Sequence, residues 1–195
     1  MSDIALTFDD GPTARGTERI LEVLRAHAAR ATFFLCGRAA ARRPALVRRI
    51  DEAGHLVGNH SYSHSFWRML TASAYDEVLR TEALLWALTG KRSRLFRPPY
   101  GLCNPILLNR LRRAGFTIAL FDLVPWDWVR PGEAVVASVE ARARDGSIVV
   151  LHDHEEGRAT LEALPVILER LSARGFRFVG LDDLRRPDLL KGPLP

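Results

Sequence analysis

Three times along this chain a basic amphipathic stretch ends in a glycine that leads into a short apolar run: IDEAG before HLVG, LRRAG before FTIALF, and LSARG before FRFVGL. Glycine just past a helix readily takes the left-handed conformation that closes it, and the apolar run that follows reads as a buried strand. The runs at 4–8 (IALTF), 31–35 (ATFFL) and 147–152 (SIVVLH) predict strands of the same kind. Between them lie predicted helices. NPILLNRLRRAG opens with Asn104 as N-cap and Pro105 at the first helical position. SAYDEVLRTEALLWALTG opens with a capping box between Ser73 and Asp76 and closes at Gly90. Strands alternating with helices imply a parallel sheet with helices packed outside it. About seven such units in 195 residues favour a closed or nearly closed α/β barrel over an open sheet. One domain is expected over 1–184, with a loosely packed proline-rich tail at 185–195.

Composition adds limits more than direction. With 47% hydrophobic and 26% charged residues the chain is an ordinary globular one, and charged residues interrupt every apolar run before it reaches membrane-spanning length. The start, MSDIALTFDDGP, has neither a basic n-region nor a cleavable apolar segment. That places the protein in the cytoplasm if the chain is full length, and outside it if a leader has been removed. Cys36 and Cys103 lack the spacing of a disulfide framework, and Cys36 within ATFFLCG reads as a buried apolar residue. The net charge of +5 is carried almost wholly by arginines scattered along helices, Lys91 and Lys191 being the only lysines. Without an interleaved basic-aromatic stripe, no nucleic-acid partner is expected.

The polar residues collect where a parallel α/β fold performs chemistry, at the C-terminal ends of its strands. IALTF runs into Asp9-Asp10-Gly11-Pro12, HLVG into NHSYSH, RLF into RPPYG, TIALF into DLVPWDW and SIVVL into HDH. His60 and His64 stand four apart, a spacing that could bring both imidazoles off one face of a helical turn toward a divalent metal. An isolated pair of this kind is more often two solvated surface histidines; five such clusters in register are not. The adjacent Asp9 and Asp10 resist joint ionisation unless a cation is near, and a metal together with Arg97 would supply that charge. One carboxylate can then bind the metal while the other stands beside it.

TFDDGP, HSYSH, RPPYG, DW and LHD, in that order across residues 7–153, resemble the five signature motifs of the polysaccharide deacetylases, carbohydrate esterase family four. The resemblance implies a distorted (β/α) barrel and the hydrolysis of N-acetyl groups on amino sugars or their polymers, of the chitin-oligosaccharide or peptidoglycan type. It implies one divalent metal, zinc foremost with cobalt or another transition metal as alternatives, held by Asp10, His60 and His64. By the same resemblance Asp9 is the general base, Arg97 its partner, and the Tyr100 backbone N–H an oxyanion donor. His152 is the general acid, with Leu151, Trp126 and Trp128 walling the acetyl methyl. The fourth motif departs from the family, with Val124 where an aspartate is usual, so that Asp122 or Asp127 is left to orient His152. His154 and His55 are read as structural or rim residues and His27 as a surface residue. A monomer acting on an N-acetylated carbohydrate is expected. The alternatives are a deacetylase of a small N-acylated metabolite or glycolipid, and a carbohydrate-binding pseudoenzyme on the same fold.

Overall fold

A computed structural model describes residues 2–71, 73–154, 157–184, 186, 188 and 190–191. Its strands are β1 (Ser2–Asp9), β2 (Thr32–Leu35), β3 (Leu56–Asn59), β4 (Leu95–Phe96), β5 (Thr117–Ala119), β6 (Ser147–His152), β7 (Phe176–Phe178) and β8 (Leu190–Lys191). Helices α1 (Ala14–Ala26), α2 (Gly37–Arg42), α3 (Pro44–Glu52), α4 (Phe66–Met69), α5 (Ala74–Thr89), α6 (Pro105–Arg113), α7 (Gly132–Arg142) and α8 (Arg158–Ala173) connect them. The strands run β6-β1-β2-β3-β4-β5, all parallel, with β7 parallel to the start of β1. Leu123 makes an isolated parallel bridge to Val149, so the curled sheet closes between β5 and β6 through a single bridge. The expected barrel is present and distorted at that seam. Much of the expected tail at 185–195 lies outside the described residues. Leu190–Lys191 does not hang loose; it adds an eighth, antiparallel strand to β5.

Strand alternation divides the interior in two. Ile4, Leu6 and Phe8 of β1, Phe33 and Leu35 of β2, and Val149 and Leu151 of β6 face outward into the main core beneath α1, α3 and α8. Ala5, Phe34 and Ile148 face inward, and with Leu95, Ala119, Leu181 and Leu184 they form a second core inside the barrel, in which Phe34 stands level with Asp9. Most predicted punctuation holds: Gly54, Gly115 and Gly175 have φ between 80° and 84°, and Gly90 caps α5 at φ 72°. Asn104 caps α6 by accepting from Leu107 N at 2.7 Å. The predicted capping box at Ser73 is absent. Ser73 has helical φ/ψ and its hydroxyl meets Thr71 Oγ1 at 2.7 Å instead. Cys36 is buried as expected, and burial together with Asp10 and Asp9 pushes its thiol well above the ordinary range. Among the described residues no helix is long and apolar enough to cross a membrane.

His27 is the exposed C-cap of α1, whereas His55 is structural. It lies buried just before β3, accepts from Ala31 N at 3.3 Å and packs against Phe33. Burial, with Arg30 nearby, lowers its pKa to about 4. The unfolded chain takes up this proton below its ordinary value of 6.5, while the folded protein waits until about pH 4. Stability is therefore expected to fall as pH drops through that window, by about 3 kcal/mol at most from this residue. In urea titrations at pH 7 and 4.5, His55→Gln should lose less stability on acidification than the parent. Equal losses would mean that the imidazole is charged in the native state.

Candidate active site

All five clusters sit at the C-terminal ends of their strands, around one mouth of the barrel. Asp9 and His152 end β1 and β6 as direct register partners, so both side chains leave the same face. Asp10 would ordinarily point the opposite way. Its positive φ of 77° turns the chain there, and its carboxylate joins the inward-facing group. Gly11 is fixed by a close approach: a Cβ there would overlap the carboxylate of Asp153. Asp153 is fully buried, accepts from Thr13 Oγ1 at 2.6 Å and Thr17 Oγ1 at 2.5 Å, and donates its N–H to Asp9 O at 2.8 Å. It ties the loop after β1 to the end of β6.

The histidine pair arrives differently from the expectation. Residues 60–64 form a loop between β3 and α4, with Ser61 at φ 65° and His64 at φ 54°, and no helical turn joins them. A buried polar clamp shapes the loop. Asn59 Oδ1 accepts from Ser61 N at 2.9 Å, and Glu77 Oε2 on α5 accepts from Ser63 N at 2.7 Å and Ser63 Oγ at 2.6 Å. The rings reach the same place nonetheless, their centroids 5.0 Å apart.

Asp10, His60 and His64 offer one donor atom each, all within 4.8 Å of one another. His64 Nε2 lies 3.1 Å and His60 Nε2 3.5 Å from Asp10 Oδ1, which is buried without a hydrogen-bond partner among the described residues. His60 Nδ1 stands 2.8 Å from the Arg97 carbonyl oxygen. A carbonyl only accepts, so Nδ1 carries the proton and Nε2 turns its lone pair toward Asp10. An orphaned carboxylate oxygen beside two imidazole nitrogens, one of them fixed as a lone pair, is an N/O donor set that fits a divalent transition metal. Burial lowers the His60 pKa against the opposing pull of Asp9 and Asp10, which favours the neutral ligand form.

Arg97 is wholly buried. Its Nη1 donates to Asp9 Oδ1 at 2.8 Å and to Thr7 Oγ1 at 2.6 Å, and its guanidinium lies 4.1 Å above the Phe34 ring. Burial draws its pKa down and Asp9 draws it back up. On the other flank His152 Nδ1 meets Asp127 Oδ1 at 2.8 Å, while Asp127 Oδ2 accepts from His152 N at 2.8 Å and Thr160 Oγ1 at 2.5 Å. Burial opposes the charged imidazole, but the hydrogen bond and charge of Asp127, helped by Asp9 and Asp10, hold the His152 pKa above its ordinary value. Asp127 thus takes the place left open by Val124. Asp122 does not compete, because it accepts from Ile148 N at 2.7 Å at the other end of β6 and pairs with Arg144.

Tyr100 occupies a tight turn at φ 60°, its ring 4.7 Å from that of His64. Trp128 meets His152 edge-on at 4.6 Å and Trp126 at 5.0 Å, so both tryptophans flank the mouth. Leu151 does not. Strand alternation turns it outward from its neighbour His152 into the main core, fully buried, and Val150 shares the inward face instead. His154 belongs to the rim, stacked on His152 at 5.3 Å with Nε2 3.7 Å from Asp10 Oδ2. Glu77, Thr13, Thr17 and Thr160 carry no signal of their own in the sequence, since each acts through a contact that the local pattern does not announce, whereas Asn59 and Asp153 lie inside the NHSYSH and LHD runs without their supporting roles being legible there.

Residues 2–119 match the family model for polysaccharide deacetylase. A peptidoglycan-N-acetylglucosamine deacetylase of Bacillus cereus is 37% identical over 94% of this chain and 88% of its own length. A chitooligosaccharide deacetylase of Bradyrhizobium is also 37% identical, over 93% of this chain and 90% of its own. Among solved structures, the family 4 carbohydrate esterase of Streptomyces lividans superposes with a TM-score of 0.86 at 34% identity, covering all of this chain and 98% of the other. Motifs, barrel and relatives converge on one assignment: the chain belongs to the polysaccharide deacetylase family.

Proposed function

We propose that this protein is a metal-dependent hydrolase that removes the acetyl group from N-acetylated amino sugars within a glycan of the peptidoglycan or chitooligosaccharide type. The observation that carries the reading is the orphaned Asp10 Oδ1 facing two imidazoles, with a buried Asp9–Arg97 pair on one side and an Asp127-backed His152 on the other. Asp10, His60 and His64 would hold a divalent ion, zinc by donor type, which polarises an acetyl carbonyl and acidifies water. Asp9, held by Arg97, takes the proton of the attacking water as its oxygen bonds to the carbonyl carbon. The Tyr100 backbone N–H donates to the acetyl oxygen as negative charge gathers there. Nδ1 of His152 is committed to Asp127, so Nε2 delivers the proton to nitrogen as the C–N bond breaks. Acetate and the sugar amine leave. A carbohydrate-binding protein without activity would have no use for a buried base and a carboxylate-backed histidine beside a metal-type donor set.

The test is acetate release from chitin oligomers, peptidoglycan, acetylxylan and small N-acetyl compounds, with metal content measured on the same protein. Chelation is expected to abolish release, and zinc or cobalt to restore it. Full activity in metal-free protein would overturn the mechanism. Activity confined to the small compounds would move the substrate away from glycans.

A further inference from the structure

The residues just after His64 do something the metal site does not need. Phe66 and Trp67 begin α4, and Trp67 is 75% exposed, an unfavourable place for so large an apolar ring. A lone exposed tryptophan would call for no explanation, but this one is part of a row. Trp67 meets Phe66 at 5.4 Å, Phe66 meets Tyr100 at 5.7 Å edge-on, and Tyr100 meets His64 at 4.7 Å. The row runs without a break from solvent to a metal-type ligand. It is also held in place: Met69, on the other side of α4, is buried with Phe96, Leu107 and Leu111, Asn104 Nδ2 donates to Met69 O at 3.3 Å, and Arg68 reaches Glu77 at 3.3 Å.

We propose that Phe66 and Trp67 form a stacking subsite for a second sugar, the neighbour of the one being deacetylated, on the His64 side of the mouth. The inference rests on the deacetylase reading and adds a length requirement to it. A pyranose ring presents electropositive C–H bonds on its faces and hydroxyls at its edges, which suits the negative face of an aromatic ring with polar neighbours. Continuity with the site selects this occupant over a lipid or a second protein, because the row begins where the reacting sugar must lie. Trp126 and Trp128 flank His152 on the opposite side, so a glycan crossing the mouth meets aromatic rings both before and after the reacting residue.

The experiment uses N-acetylglucosamine oligomers of one to five residues, comparing the parent with Trp67→Ala and Phe66→Ala, and with Trp86→Ala on α5 as a control distant in the fold. The parent should favour the longer oligomers. In Trp67→Ala that preference should shrink about tenfold, through KM rather than kcat, with bound metal unchanged. The control should keep the parent's preference. An identical length profile in Trp67→Ala overturns the subsite, as does an equal fall on every length. Oligomer titration of the same proteins by intrinsic fluorescence separates this inference from the reading it rests on. Binding weakened in Trp67→Ala while no protein releases acetate keeps the subsite and sinks the deacetylase. Absence of both binding and release sinks both. Vesicles of phosphatidylcholine with phosphatidylglycerol form the last arm, and vesicle binding lost in Trp67→Ala with oligomer use intact would reassign the row to a lipid surface.

Discussion

Asp9→Asn is expected to keep its metal and to turn over roughly 10²- to 10⁴-fold more slowly, whereas Asp10→Ala should lose metal and activity together. Removing a positioned general base accounts for the first effect. The second follows from Asp10 Oδ1, which contributes the carboxylate to the three-donor cluster and has no hydrogen-bond partner among the described residues. Asparagine at position 9 retains an oxygen for Arg97 to donate to, but leaves that buried guanidinium without a counter-charge. Turnover must therefore be referred to folded protein, measured by near-UV circular dichroism. KM should change little, because the proton transfer is felt mainly in the transition state. Elemental analysis and kcat on the same two preparations decide the matter. Metal lost from Asp9→Asn but kept by Asp10→Ala would reverse the assignments, and wild-type rates in both would reduce the pair to a turn.

The second large effect belongs to Arg97. Arg97→Leu strands Asp9 as an uncompensated buried charge, a change expected to cost about 3–5 kcal/mol in denaturant titration. Arg97→Lys restores the charge but not the fork. A lysine can offer one nitrogen to Asp9 and Thr7, as Arg97 does with Nη1, but has no further nitrogens to fix it on the Ala119 and Leu120 carbonyls and no planar group to set over Phe34. It should recover much of the stability and little of the rate. Wild-type kcat in the lysine variant would mean that orientation of Asp9 is not what Arg97 provides.

Features that depend on near neighbours in the chain were legible in the sequence. Helix ends at Gly54, Gly90, Gly115 and Gly175 and the Asn104 cap are settled within a few residues, and each fell where the pattern placed it. The order of strands and polar clusters favoured the barrel, and the resemblance of the motifs implied it. Errors arose where one local signal stood for a choice made elsewhere. A four-residue histidine spacing fits a helical turn, but Glu77, reaching across from α5, holds that segment as a loop. Ser73 has the residue type of a cap without the extended backbone that a cap requires. In IVVL, residues 148–151, every position is apolar, so the run cannot reveal which side chains face inward, and pairing with β1 is what removes Leu151 from the site. Likewise Val124 left two carboxylates eligible, and only the approach of Asp127 to His152 chose between them.

The paired inner columns of β1 and β6 can be read as a ladder of three rungs: Ala5 beside Ile148, Thr7 beside Val150, Asp9 beside His152. Each rung is two residues, or about 6.6 Å, above the last. Polarity climbs with it, from hydrocarbon through a hydroxyl to an ionisable pair. An acid and a base moved down to the bottom rung would meet Leu181 and Leu184 in place of solvent and loops, where desolvation shifts a pKa by several units toward the uncharged form. This scaffold therefore allows new chemistry at one depth only. A designer who wants another reaction from it has the top rung and the loops above to rewrite, with the Thr7 hydroxyl bracing Arg97 beneath them and hydrocarbon below that.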